Sequence, residues 1–264
     1  MTPLPPEPLG AVNWMGLWTL SAKEVRRFLK VYFQTVVAPV VTTLLFLAVF
    51  ALALGRAVRE AGGVPFLEFL APGLIMMAMV QNAFANTSSS IMLSKVQGNI
   101  VDVLMPPLSA GELTLGFALG GVIRGLLVGV VVGACMAVFV PLHFAHPVLM
   151  LYHGLAASLM LALLGMIAGI WADKFDHMAA VTNFIVTPLS FLSGTFYTID
   201  SLPPALHWAA LANPFFYMID GFRFAMIGHA DGPIGIGILV MALFDALLIA
   251  VAWRMFKTGY KLKA

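Results

Sequence analysis

Six stretches of this chain are so long and so apolar that they dictate its solvent. They run over residues 32–54, 66–88, 113–140, 148–171, 178–196 and 234–256. About 20 apolar residues in a helix cross the roughly 30 Å of a bilayer's hydrocarbon. The expectation is therefore an all-α polytopic membrane protein with six spans. Composition agrees: 10% of residues are charged, against about 25% in a soluble domain. The "ALA" at 51–53 looks like a signal-peptidase site. The run before it exceeds the roughly 7 to 15 residues of a signal peptide's apolar core, so it is read as a retained span.

Residues 1–12 are proline-rich and read as a flexible leader. From Asn13, an expected N-cap, Trp14, Leu17, Trp18, Val25, Phe28 and Leu29 recur at helical spacing, with Lys23, Arg26, Arg27 and Lys30 mostly between them. This pattern predicts a helix over 13–31 lying in the membrane interface. An even number of spans puts both termini on one side. Ten Lys and Arg fall on that side, including those of the tail at 257–264, and three (Arg56, Arg59, Arg223) on the other. Basic loops stay inside, so both termini are expected in the cytoplasm.

The third span carries Gly121, Gly125, Gly129 and Gly133 on one face, where another backbone can come close. It also carries Arg124, and the sixth span carries Asp245. Charge at such depth faces protein or water, and the two residues suit either mutual pairing or a proton relay. Gln81, Asn82 and Asn86, late in the second span, suit interhelical hydrogen bonding, a substrate entrance or a dimer seam. After that span, "SKVQGNIVDVLMPPLSAGEL" predicts a short amphipathic helix with an apolar ridge of Ile100, Val103 and Leu104 beside Gln97, Asn99 and Asp102. Before the last span, residues 197–233 are too apolar for a solvated loop and read as two short helices broken at Asn213 and Pro214. Asp220 and Arg223 stand three residues apart there, the spacing of a local ion pair. Phe215, Phe216 and Tyr217 suit an exit lining or interface anchors.

No catalytic constellation stands out. His143 and His146 are two ligands too few for a structural metal site. Asp173, Asp176 and His177 lie in a turn where solvated charge is ordinary, and Glu68 snorkels at a span end. The lone Cys135 forms no internal disulfide. No HExxH, GxSxG or GxxxxGK[ST] pattern occurs, so the chain brings no ATPase of that kind. The modest net charge of +2 gives no reason to expect a nucleic-acid partner.

In order along the chain, the basic amphipathic helix, "FLEFLAPGLIMM", "VDVLMPPLSAGEL" and "PLSFLSGTFYTIDSLPPALHWAALANPFFYMIDGFR" resemble the membrane subunits of type-2 (ABC-2) ABC exporters, over residues 14–257. The resemblance implies a transmembrane domain over 13–264 in a bacterial inner membrane. It implies a coupling helix at 97–104 and an external gate holding Asn213, Pro214, Phe215, Phe216, Asp220 and Arg223. It further implies a second copy of the chain and a separate cytoplasmic ATP-binding subunit that holds ATP and Mg. The cargo expected is amphipathic: lipid-linked, saccharide-bearing or hydrophobic. Two other classes remain open on the residues alone: an ion- or proton-coupled secondary transporter, and a membrane scaffold that transports nothing.

Overall fold

A computed structural model of the chain describes residues 12–53 and 60–262. The expected leader up to residue 11, and Arg56, Arg59 and Lys263, lie outside them. Helix α1 (Trp14–Leu29) is followed by a π-turn at Phe33–Val37 that runs into α2 (Ala38–Ala53). A small antiparallel hairpin, β1 (Glu60–Ala61) and β2 (Val64–Pro65), opens α3 (Phe66–Val96). The short α4 (Ile100–Leu104) leads to α5 (Ala110–Met136) and α6 (Pro147–Trp171). Helices α7 (Phe175–Val181) and α8 (Thr187–Phe191) are joined by a second π-turn, Thr182–Val186. Two short helices, α9 (Pro204–Leu211) and α10 (Pro214–Ile227), precede α11 (Ile234–Thr258).

The chain is thus an all-α polytopic membrane protein. Five helices are long and apolar enough to cross a bilayer: Phe33–Ala53, Phe66–Val96, Ala110–Met136, Pro147–Trp171 and Ile234–Thr258. The span expected at 178–196 is the helix from α7 to α8, built of seven, five and five residues and ending sooner than its apolar run. Side chains end it: the hydroxyls of Ser193 and Thr195 both donate to the Ser190 carbonyl, and Gly194 then takes φ 74°.

Helix α3 is the axis of the molecule, packed by α5, α6 and α10. Its apolar window is 83% buried, against 11% for the first span and 22% for α11. Those two helices therefore present most of their side chains outward. The glycine ladder of α5 explains how tightly the axis is held. A Cβ at Gly121 would lie 2.6 Å from that of Ala162, and one at Gly125 would lie 3.0 Å from the Met79 carbonyl oxygen. Gly121, Gly125 and Gly129 are used inside the chain, between α5 and its neighbours α3 and α6.

The ends of the bundle differ in charge. One end gathers α1, the tail and Lys23, Arg26, Arg27, Lys30, Lys95, Lys174, Arg254, Lys257 and Lys261. The opposite end carries the hairpin, the loop at 141–146 and α9 with α10.

Candidate functional site

At the basic end α1 is built on its own N-cap: Asn13 Oδ1 accepts from the Gly16 N–H at 2.9 Å. Trp14, Met15 and Trp18 are exposed, as an interfacial helix requires, while Leu17, Leu20 and Phe28 pack inward. Lys23, Arg26 and Lys30 are exposed, but Arg27 turns into the bundle. Its Nη2 donates to the Asn86 carbonyl at 2.7 Å and to Asn86 Oδ1 at 3.0 Å, and it pairs with Glu24 at 3.2 Å. Glu24 is fully buried and accepts from Ser90 Oγ at 2.7 Å. Sequence reasoning passed over Glu24; the lone acid in an otherwise basic helix was the signal.

The predicted coupling segment sits beside α1 and is amphipathic, with its apolar ridge turned toward the bundle. Ile100 and Val103 are buried and Leu104 half-buried, so the apolar ridge seals α4 to its own chain. Gln97, Asn99, Val101, Asp102 and Met105 face outward instead. Behind them Ser109 and Glu112 form a capping box on α5. Glu112 Oε2 accepts from the Ser109 N–H at 2.6 Å, and its Oε1 accepts from the Asn13 N–H at 2.5 Å. Asn13 Nδ2 donates to the Pro107 carbonyl at 3.3 Å. One carboxylate therefore joins the N-cap residues of α1 and α5, and Asn13 in turn holds the loop after α4. The S-x-x-E spacing at 109–112 was the readable sign.

A second fastening binds the tail. Lys95 Nζ donates to the carbonyls of Ile170 and Ala172 at 2.7 and 2.6 Å, where the end of α6 leaves carbonyls free. Lys261 Nζ reaches the Trp171 carbonyl at 3.0 Å and Asp173 Oδ2 at 2.7 Å. Hydrogen bonding from Lys261, with help from Lys95, holds the Asp173 carboxyl below its usual range.

Within the membrane, Arg124 and Asp245 do not pair. Arg124 Nη2 donates to Asn82 Oδ1 at 2.9 Å, while Asp245 Oδ1 is buried without a partner among the described residues. Arg124 turns toward Asn82 on α3, although its own helix also packs against α11, which carries Asp245. Gln81 is half-buried and borders two grooves, one between α2 and α3 and one between α3 and the α7–α8 helix. Asn82 and Asn86 make the interhelical bonds already described. His153, not singled out from the sequence, is wholly buried on α6. Its ring fits only because α10 offers Gly221, where any Cβ would collide with it.

At the opposite end Asn213 caps α10, accepting from the Phe215 N–H at 3.0 Å, and donates to the Leu189 carbonyl at 2.8 Å. Pro214 takes the first helical turn, where its missing N–H costs nothing. Phe215 and Phe216 are core residues, 1% and 0% exposed, so neither lines an open exit. Asp220 and Arg223 form no ion pair: Asp220 accepts from the N–H groups of Asp231 and Gly232 at 2.8 and 3.0 Å. Arg223 donates to the Gly194 carbonyl at 2.5 Å and lies 3.9 Å over the Phe69 ring. Asp231 completes the knot, accepting from the Ile199 N–H at 2.9 Å and meeting His229 at 2.8 Å. His143 lies 3.2 Å from Glu68, and His146 stacks on Phe224. Among the described residues, no group of three His, Cys, Asp or Glu could hold a metal.

Residues 15–227 match the family model described as ABC-2 type transporter. The chain is 34% identical over 251 residues to the inner membrane transport permease YadH of Escherichia coli K12, covering 95% of this chain and 98% of the relative. It is 27% identical over 228 residues to nodulation protein J of Rhizobium leguminosarum bv. trifolii, covering 84% of each. Nodulation protein J of Rhizobium meliloti is 24% identical over 237 residues, covering 88% of this chain and 87% of that one. An interfacial basic helix, a short helix bolted to it between the second and third membrane helices, and a knotted helical pair before the last span thus meet in a chain that belongs to the ABC-2 type transporter family of membrane permeases.

Proposed function

We propose that this chain is the membrane half of an ATP-driven exporter in a bacterial inner membrane, its basic end in the cytoplasm. It moves an amphipathic cargo outward as a dimer, each copy bound to a separate ATP-binding subunit that holds ATP and Mg. The observation that carries this reading is the junction at Glu112. A force applied to α4 from below reaches α1 through Asn13 and α5 through Ser109, because one carboxylate holds both backbone N–H groups. A loop that merely rested on headgroups would need no such fastening. The dimer reading is supported by the outward-facing first span and α7–α8 helix, which flank α3 and each contain a π-turn.

The docking face on this reading is Gln97, Asn99, Val101, Asp102 and Met105. The test is reconstitution in liposomes with the cognate ATP-binding subunit. Met105→Glu should abolish cargo-stimulated hydrolysis while leaving the permease folded. Unchanged hydrolysis and unchanged co-purification would remove the coupling assignment. Transport that ran on a proton gradient without ATP would replace the exporter with a secondary transporter.

A further inference from the structure

Arg124 is a buried cation that no carboxylate among the described residues answers. It stands near the middle of α5 and is 8% exposed. Among the described residues no carboxylate pairs with it, and the charge that acts on it, Arg27, is also positive. The contrast within the same molecule is plain. Glu24 has Arg27, and Arg223 lies among Asp220, Asp231 and an aromatic face. A guanidinium has five N–H donors. Arg124 uses one, to Asn82, and its Nε is buried without a partner. Charge at this depth is costly and marks the path of an ion or substrate.

Asn82, which holds the guanidinium, is also part of the wall of a groove between α2 and α3. The groove has a volume of about 280 Å³ and is lined by Gln34, Thr42, Thr43 and Gln81 together with Phe46, Leu74 and Met77. It offers polar and apolar groups together, and Arg124 stands behind its wall, reached through Asn82. Resting on the exporter reading, we propose that this groove takes the oxyanion head of an amphipathic cargo, a phosphate ester or carboxylate. Arg124, aimed by Asn82, is its counter-charge, and the tail lies along Phe46, Leu74 and Met77. Planar, forked donors suit such a head better than a point charge does.

The test needs neither nucleotide nor the ATP-binding subunit. The purified chain in dodecyl maltoside is titrated with dodecyl phosphate, and binding is read from thermal stabilisation and tryptophan fluorescence. Saturable binding is expected, whereas inorganic phosphate, which lacks the tail, should not bind. Arg124→Gln should weaken binding about tenfold or more, the size of a lost charge-assisted hydrogen bond, and Arg124→Lys less. Thr42→Ile, which narrows the groove without touching the arginine, should also weaken it and serves if Arg124→Gln fails to fold. Lys174→Gln, an exposed cation away from the groove, should bind as the parent does. No saturable binding by the parent chain, equal binding of inorganic phosphate, or equal losses in Arg124→Gln and Lys174→Gln would each overturn the proposal. ATP-driven coupling is measured separately. Coupling that survives when binding fails removes this inference alone; binding that survives when coupling fails removes the exporter reading alone.

Discussion

Asp220 and Arg223 stand three residues apart on α10 and reach in different directions. The carboxylate closes the loop at 231–232 by taking two backbone N–H groups, and the guanidinium reaches the carbonyl of Gly194 and the face of Phe69. Together they tie α10 to three other parts of the chain: the start of α11, the end of the α8 segment and α3. The sequence spacing put both charges on one helix face. It could not reveal that backbone groups far along the chain were better partners.

Arg223 is therefore first a folding residue. Arg223→Ala leaves the Gly194 carbonyl unanswered and opens a void against Phe69, and should cost about 2–4 kcal/mol. Arg223→Lys should recover little of this, because an ammonium cannot lie flat on the ring while donating to the carbonyl. Thermal unfolding of the two variants in detergent measures both. A wild-type midpoint for Arg223→Ala would show that the knot does not hold this end together.

The glycine ladder gives a graded expectation. Gly121→Ala brings a methyl to 2.6 Å from the Cβ of Ala162, whereas Gly133→Ala meets only Ile75 Cδ1 at 3.7 Å, an ordinary contact. Overpacking of the first kind costs about 1–3 kcal/mol, and the second should be close to neutral. The oligomeric state in detergent is the discriminating measurement. Loss of self-association on Gly133→Ala, with the fold intact, would give this end of the ladder an intermolecular role.

Tail docking should resist acid. The Asp173 carboxyl is held below its ordinary value, chiefly by its hydrogen bond to Lys261. A depressed folded value means that its contribution is fully present above the unfolded pKa of about 3.9 and is lost as pH falls through the lower folded value. Docking should accordingly be constant from neutral pH to about pH 4 and fail below that. Asp173→Asn should free the tail already at pH 7, read as faster tryptic cleavage after Lys261. Because the pair is exposed, its effect on global unfolding should be small.

Much of the architecture was legible because lipid imposes a simple rule. Apolar length alone located the first span, α3, α5, α6 and α11, whose helices begin within about three residues of the expected positions. The fifth span was misjudged in length because apolar content does not record that the Ser193 and Thr195 hydroxyls take the Ser190 carbonyl. The apolar ridge of α4 was legible, but not the surface it meets: five residues carry too little periodicity to say which side faces the bundle, and a helix so short takes its orientation from the residues it packs against. Asp245 and Arg124 were candidates for each other only because charges in lipid need partners; α5 and α11 do pack together, but which side chains meet across that contact is not contained in their positions along the chain.

The capping box at Ser109 was visible as a spacing, but its second duty, holding Asn13, was not. That duty yields the sharpest expectation about force transmission. Glu112 accepts from two backbone N–H groups with its two oxygens, Asn13 at 2.5 Å and Ser109 at 2.6 Å. A glutamine has one acceptor oxygen, so Glu112→Gln must leave one of the two N–H groups facing an amide that cannot receive it. The loss should be about 1–3 kcal/mol, against about 1 kcal/mol for Ser109→Ala, which removes only the cap on α5. The two substitutions act on one network and should combine non-additively in a double-mutant cycle of unfolding free energies. If α4 moves α1 and α5 together, Glu112→Gln should also reduce cargo-stimulated hydrolysis in the complex without weakening co-purification of the ATP-binding subunit, whereas Ser109→Ala should change it less. Equal effects of both variants on hydrolysis would mean that the junction stabilises α5 and transmits nothing to α1.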